Sequence, residues 1–223
     1  MTPEMSSTDR RTFLIDSAAL AAMSVWAGCA SSKAGAGAAT AEAASLTTPP
    51  LAPPAAWDAF TYNVARGRAG FIPEKYLADI LAPDGDKKHL GKHLPYVPAL
   101  PEERRVAGYL PLMWGDPAKG NAKHPNAPID ATNPEGHWYD WIRLAVVGQP
   151  GGEVETRYDA WPEPTGAVNG RLTGLTTADP REDAGKNTVY LAVLPEGAKA
   201  GDTLRVWAHC ITHGEYVDFI TLS

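Results

Sequence analysis

Cysteine is scarce in this chain of 223 residues: there are two, Cys29 and Cys210. Two exclude a disulfide-rich scaffold, and they exclude a four-cysteine zinc or rubredoxin-type iron site within one chain. Runs of lysine and arginine are also missing. The 20 basic residues against 26 acidic ones leave a net charge of −6, which argues against nucleic acid as a partner. The one sizeable apolar run near the start is short for a membrane span. Apolar residues are nonetheless 44% of the chain, enough for a packed core. The 21 glycines and 20 prolines favour turns and strands over a helical bundle.

Arg10 and Arg11 precede an apolar run from Phe13 to Trp26 that is broken by Asp16. Such a segment reads as a cleaved export signal. Asp9-Arg-Arg-Thr-Phe-Leu14 resembles the twin-arginine type; an ordinary secretory signal that holds two arginines is the alternative. Trp26-Ala-Gly-Cys29 resembles a lipoprotein cleavage box, which implies a lipid anchor on Cys29; cleavage nearby by signal peptidase is the alternative. Residues 1–28 are therefore expected to be the signal. Residues 29–56, rich in Ala and Pro, are expected to be a flexible tether, because they bury little and are costly to order. The expected location is periplasmic, or anchored on the outer side of the inner membrane.

The folded part is expected to start near Trp57. Pro73–Leu81 reads as a short helix with Pro in its first turn. Strands are expected at Val106–Met113, His137–Val147, Glu153–Ala160, Thr188–Leu194, Thr203–Cys210 and Tyr216–Leu222, each bounded by turn formers. Along the segment from Leu204 to Cys210 the period is two. Leu204, Val206, Ala208 and Cys210 share one face; Arg205, Trp207 and His209 share the other. Glu196–Asp202 is a turn between two strands. Short strands at this spacing predict an all-β antiparallel sandwich, with a helical extension over residues 57–87.

Six histidines remain to be explained: His89, His93, His124, His137, His209 and His213. Cys210 and His213 form a C-x-x-H pair at a strand end, and on its own that pair is a weak signal. Upstream lie Lys92-His-Leu-Pro95, His124-Pro-Asn126, and His137 four residues before Trp141-Ile142; downstream, Gly214 follows His213.

Taken together and in this order, these four elements resemble the superoxide reductase family, the neelaredoxin and desulfoferrodoxin iron domain, over residues 88–223. The resemblance implies an immunoglobulin-like sandwich with one mononuclear iron centre cycling between Fe2+ and Fe3+. It implies His93, His124, His137 and His213 as equatorial ligands and Cys210 as the axial thiolate. Lys92, beside His93, matches the family's pocket lysine, which attracts superoxide and orders a proton-donating water. The implied activity is reduction of superoxide to hydrogen peroxide. Electrons would come from a rubredoxin-like or other external donor, because this chain has no second iron centre. Family members form dimers or tetramers, so a homo-oligomer is implied without its size. The donor set suits the chemistry: neutral imidazoles hold ferrous iron, and a thiolate opposite the open position weakens the bond to the oxygen it carries.

Several positions depart from the family pattern. Gly91 stands where the family has Glu, Ile211 where it has Asn, and Glu215-Tyr216 where it has Leu-Trp; Ala127–Gly136 reads as an inserted loop. His89 lies in a near-copy of the Lys-His-Leu-Pro motif and is an alternative to His93. His209 points away from Cys210 by alternation and reads as structural. Trp138, Trp141 and Trp207 would either shield the site or pack the core. Other readings remain: a copper electron carrier, disfavoured because no Met follows Cys210; an iron-binding relative acting as a sensor; and a metal-free sandwich.

Overall fold

A computed structural model describes residues 46–82, 86–159, 171–173 and 184–223. The expected export signal at 1–28, the lipid attachment at Cys29 and most of the expected tether lie outside the described residues. Among the described residues no helix is long and apolar enough to cross a membrane.

Among the described residues, two eight-residue helices lie ahead of the strands, α1 (Ala59–Arg66) and α2 (Glu74–Leu81). The Asp58 carboxylate caps α1 by accepting the Phe60 N–H at 3.0 Å. Pro73 sits at the N-cap of α2. Eight strands follow among the described residues: β1 (Pro95–Tyr96), β2 (Tyr109–Trp114), β3 (Tyr139–Val146), β4 (Val154–Arg157), β5 (Arg171–Thr173), β6 (Thr188–Val193), β7 (Thr203–Cys210) and β8 (Gly214–Thr221). They form two four-stranded antiparallel sheets, ordered β1-β2-β6-β5 and β4-β3-β7-β8. This is the strand order of an immunoglobulin sandwich with one extra strand beside β3. The all-β expectation holds. The two shortest strands, β1 and β5, are additions to the elements expected from sequence, while both helices fall in the stretch expected to be helical.

Alternation builds the core. Leu110 and Leu112 of β2 and Tyr190 and Ala192 of β6 face Ile142 and Leu144 of β3 and Leu204, Val206 and Ala208 of β7. Each fully buried large side chain contributes about 1.5–3 kcal/mol. Tyr158 ties the layers together by donating its hydroxyl to the Leu191 carbonyl at 2.9 Å. Arg205 lies on the outer face of β7, as the alternation implies, and is nonetheless buried. It donates to the Pro49 carbonyl at 2.7 Å and pairs with Glu153. Pro49 lies in the stretch expected as tether, so part of that stretch is docked on the sheet.

The helical segment covers the open edge at β8. Asn63 accepts the Val217 N–H at 2.9 Å and donates to the Val217 carbonyl at 2.8 Å, which satisfies backbone groups that an edge strand otherwise exposes. Arg66 is wholly buried and pairs with Glu215 at 2.5 Å, while Glu215 also accepts the Trp207 indole N–H at 2.9 Å.

Candidate metal centre

The site lies where β3 and the β7–β8 hairpin meet the loops before them. Cys210 ends β7 and Gly214 begins β8, and the two are directly paired. A three-residue turn therefore carries His213 back beside Cys210, with the His213 N–H on the Cys210 carbonyl at 3.1 Å. His93 ends a 3-10 turn, Gly91–His93. His124 lies in the segment after β2, held by its N–H on the Trp114 carbonyl at 3.0 Å. His137 precedes β3. The loop between His124 and His137 closes on itself, because Ala127 and His137 exchange both backbone hydrogen bonds at 2.8 Å. The loop thus leaves the two imidazoles 4.3 Å apart, centroid to centroid.

The structure brings together His93, His124, His137, Cys210 and His213: one nitrogen or sulfur from each lies within 4.8 Å of all the others. The imidazoles form a closed ring in the order His93, His124, His137, His213, with successive centroids 4.9, 4.3, 4.6 and 4.7 Å apart. Across that ring His124 and His213 are 6.3 Å apart. The Cys210 sulfur lies 3.6 Å from His124 Nε2 and 3.6 Å from His213 Nδ1. It therefore sits evenly between two opposite corners of a four-nitrogen ring.

Two tautomers follow from the neighbours. His93 Nδ1 lies 2.6 Å from the His89 carbonyl, which can only accept. The proton is therefore on Nδ1, and Nε2 is left as a buried lone pair without a partner among the described residues. Asn126 donates its amide to the carbonyls of His124 (3.1 Å) and Gly185 (2.9 Å). Its oxygen then faces His124 Nδ1 at 3.2 Å and accepts the Tyr190 hydroxyl at 2.7 Å. His124 is thereby protonated on Nδ1, with its Nε2 lone pair turned inward. His137 Nε2 and His213 Nδ1 face each other at 2.8 Å.

Burial dominates the electrostatics. It holds His93 and His124 well below the ordinary imidazole range, His137 at about 4 and His213 at about 2, with the neighbouring cations adding to the effect. Burial pushes the Cys210 thiol up to about 12. All four imidazoles are thus neutral and ready to bind a cation, whereas the thiol needs a cation beside it to ionise. An orphaned inward lone pair, two nitrogens face to face and a dry thiol are costly in a protein interior. One ion between them would satisfy all three. Imidazole and thiolate together suit iron, zinc or copper and not magnesium or calcium.

No family model matches the chain, and no curated protein matches it. Two solved structures are similar to it. One is a variant of the superoxide reductase (neelaredoxin) from Ignicoccus hospitalis, 18% identical over 60% of this chain and 82% of that one, with a TM-score of 0.29. The other is a variant of the superoxide reductase (neelaredoxin) from Archaeoglobus fulgidus in the reduced form, 22% identical over 60% of this chain and 90% of that one, also with a TM-score of 0.29.

Around the five side chains, Lys92 is half-buried and within electrostatic range of all of them. Burial lowers the pKa of its ammonium, and the Cys210 thiol and Asp79 oppose that shift. His89 is not in the cluster; its carbonyl orients His93 instead. His209 points outward, with Nδ1 2.5 Å from Asp140 and its ring stacked on Trp141 at 5.7 Å. Of the three tryptophans, one shares the core with Cys210 and two lie on the far side of the sheet. Trp138 packs in the core with its indole N–H on the Tyr158 carbonyl, and Trp141 and Trp207 lie on the outer sheet face with Arg143 over both rings. Tyrosine rings lie directly against the imidazoles: Tyr216 stacks on His93 at 4.2 Å and 5°, and Tyr76 lies 4.2 Å from the His213 ring. Sequence reasoning assigned no role to Asn126, Tyr190, Tyr216 or Tyr76, although Asn126 stood in the His-Pro-Asn motif.

Proposed function

We propose that this protein is a one-iron superoxide reductase, with His93, His124, His137, His213 and Cys210 as the iron ligands. The observation that carries this reading is the convergence of four neutral imidazoles and one buried thiol around a single point. Iron, when bound, supplies the single electron that superoxide takes up and is recharged by an external donor. The balance is superoxide plus one electron plus two protons giving hydrogen peroxide.

The chain's own groups supply the rest. The Asn126 and His89 contacts fix two imidazoles in the tautomer that turns a lone pair inward. Tyr216 and the sandwich core keep water from the sulfur side, so the thiolate is not lost to protonation once a cation is bound. Lys92 is the cation that draws the superoxide anion in and holds a proton near where peroxide leaves. Gly91 brings no carboxylate to the site. The reading extends to an exported protein, periplasmic or lipid-anchored at Cys29, that serves in defence against oxidative stress.

The test is metal content and the visible spectrum of the purified protein, followed by superoxide kinetics. The expected result is one iron per chain, nearly colourless when reduced and blue when oxidised, with the colour lost in Cys210→Ser. Superoxide should be consumed with hydrogen peroxide formed and no dioxygen. Copper with a strong blue band would overturn the reading in favour of an electron carrier. Iron without turnover would leave a sensor, and no metal after anaerobic loading a structural sandwich. Lys92→Ala should slow the encounter and flatten its dependence on ionic strength; an unchanged rate at low salt removes Lys92 from the reading.

A further inference from the structure

The helical segment ahead of the sandwich reaches the cluster directly. Gly214, the residue after His213, has φ +84°, and a Cβ there would lie 2.3 Å from the Phe71 carbonyl oxygen and 3.0 Å from Ile72 Cα. The turn between α1 and α2 therefore occupies the space beside the hairpin that carries His213. From that turn α2 runs so that Tyr76 lies against the His213 imidazole, with centroids 4.2 Å apart and planes at 60°. Lys75, next to Tyr76, pairs with Glu135 at 3.5 Å, two residues before His137. On the same face as Tyr76, Asp79 is within electrostatic range of Lys92.

His213 differs from His93 and His124 in how its ring is held. The outer nitrogen of each of those two is fixed by an acceptor. The inner nitrogen of His213 is Nδ1, and its outer Nε2 makes no hydrogen bond to a described residue. Apart from the His137 contact on its inner nitrogen the ring is held by packing, and Tyr76 is the nearest aromatic ring against it, ahead of His137 and His93.

We propose that α2 is a working wall of the metal centre and that Tyr76 is a positioning residue that sets the His213 ring. This rests on the reading of the five side chains as a metal site. A flat ring is what the role needs, and the phenol hydroxyl is not. Groups that orient metal-binding histidines without touching the metal typically change metal affinity when removed.

The experiment uses the full chain loaded with cobalt(II), whose ligand-field bands report the geometry without turnover. Tyr76→Leu keeps an apolar side chain on the helix but removes the flat face; Tyr76→Phe keeps the face and removes the hydroxyl. Tyr76→Leu should shift the cobalt bands and weaken cobalt binding by about tenfold, while Tyr76→Phe should keep the parent bands and affinity to within about twofold. Asn63→Ala, which loosens the same segment at β8, should lower the melting temperature and leave the bands in place. Bands and affinity in Tyr76→Leu equal to the parent's would overturn the proposal while leaving the metal site standing. A parent protein that takes up no cobalt would overturn both.

Discussion

His137 Nε2 and His213 Nδ1 face each other at 2.8 Å although the two residues are 76 positions apart. Both imidazoles are neutral at any ordinary pH, because burial holds them at about 4 and about 2. Without a cation they can share a single proton between them. With one, both lone pairs and the inward pair of His93 are used at once. The folded protein should therefore bind a transition metal far more tightly than the unfolded chain does.

That difference is measurable as stability. A ligand at about a hundredfold its Kd adds about 2.7 kcal/mol when it binds the native state alone, which is about 5–10 °C in melting temperature for a chain of this size. Anaerobic ferrous iron or cobalt(II) should raise the transition by that much, and a chelator should return it. Identical melting curves with and without metal would count against a preformed site.

Asn126 connects His124 to Tyr190, whose hydroxyl also accepts the Tyr139 N–H at 3.1 Å. Asn126→Ala removes the acceptor that fixes the His124 tautomer and leaves the Gly185 carbonyl short of a partner. Metal affinity should fall by about 10–100-fold. Tyr190→Phe keeps that acceptor and should cost less. Metal titration of the two variants decides; equal losses would mean that Asn126 acts only by packing.

Much of this site is written locally in the chain. Cys210 and His213 share one hairpin, and Lys92-His-Leu-Pro95 and His124-Pro-Asn126 are each contained in one turn, so short motifs carry them. The alternation that places Cys210 inside and His209 outside is likewise local, and the register of β7 on β3 and β8 follows it. What was illegible depends on distant partners. Asn63 bonds Val217 and Arg66 pairs with Glu215, at separations of 154 and 149 residues, and no sequence pattern near residue 60 names those contacts. Arg205 reads as an outward cation until Pro49 covers it. Strands of two and three residues, β1 and β5, are too short for a period to show.

Gly214 carries two constraints, a left-handed backbone and the Phe71 carbonyl in the place of a side chain. Gly214→Ala has to strain the turn and displace the helical segment together. It should destabilise by more than the roughly 1 kcal/mol typical of replacing a left-handed glycine. It should also make the bond after Arg68 in the helical segment easier for trypsin to reach. Limited proteolysis read alongside the melting curve distinguishes the two effects. A loss of about 1 kcal/mol with unchanged cleavage would leave strain alone.

Asp218 gives a pH dependence whose sign is fixed by burial. It sits on β8 and accepts the Trp57 indole N–H at 2.9 Å and the Phe219 N–H at 2.8 Å. Desolvation raises its pKa; those two bonds and Lys119 work against the rise, and Asp58 at the start of α1 adds to it. The folded state therefore holds this proton more tightly than the unfolded chain, whose value is about 3.9. Protonated Asp218 favours the fold, and that contribution is lost as pH rises from about 4 through the folded value. Asp218→Asn keeps the acceptor for Trp57 and never ionises. The variant should melt higher than the parent at pH 7, and the gap should close as pH falls towards 4. A parent that melts higher at pH 7, by a margin that grows with pH, would mean that the ionised carboxylate stabilises the fold, in which case the bonds from Trp57 and Phe219 outweigh its burial.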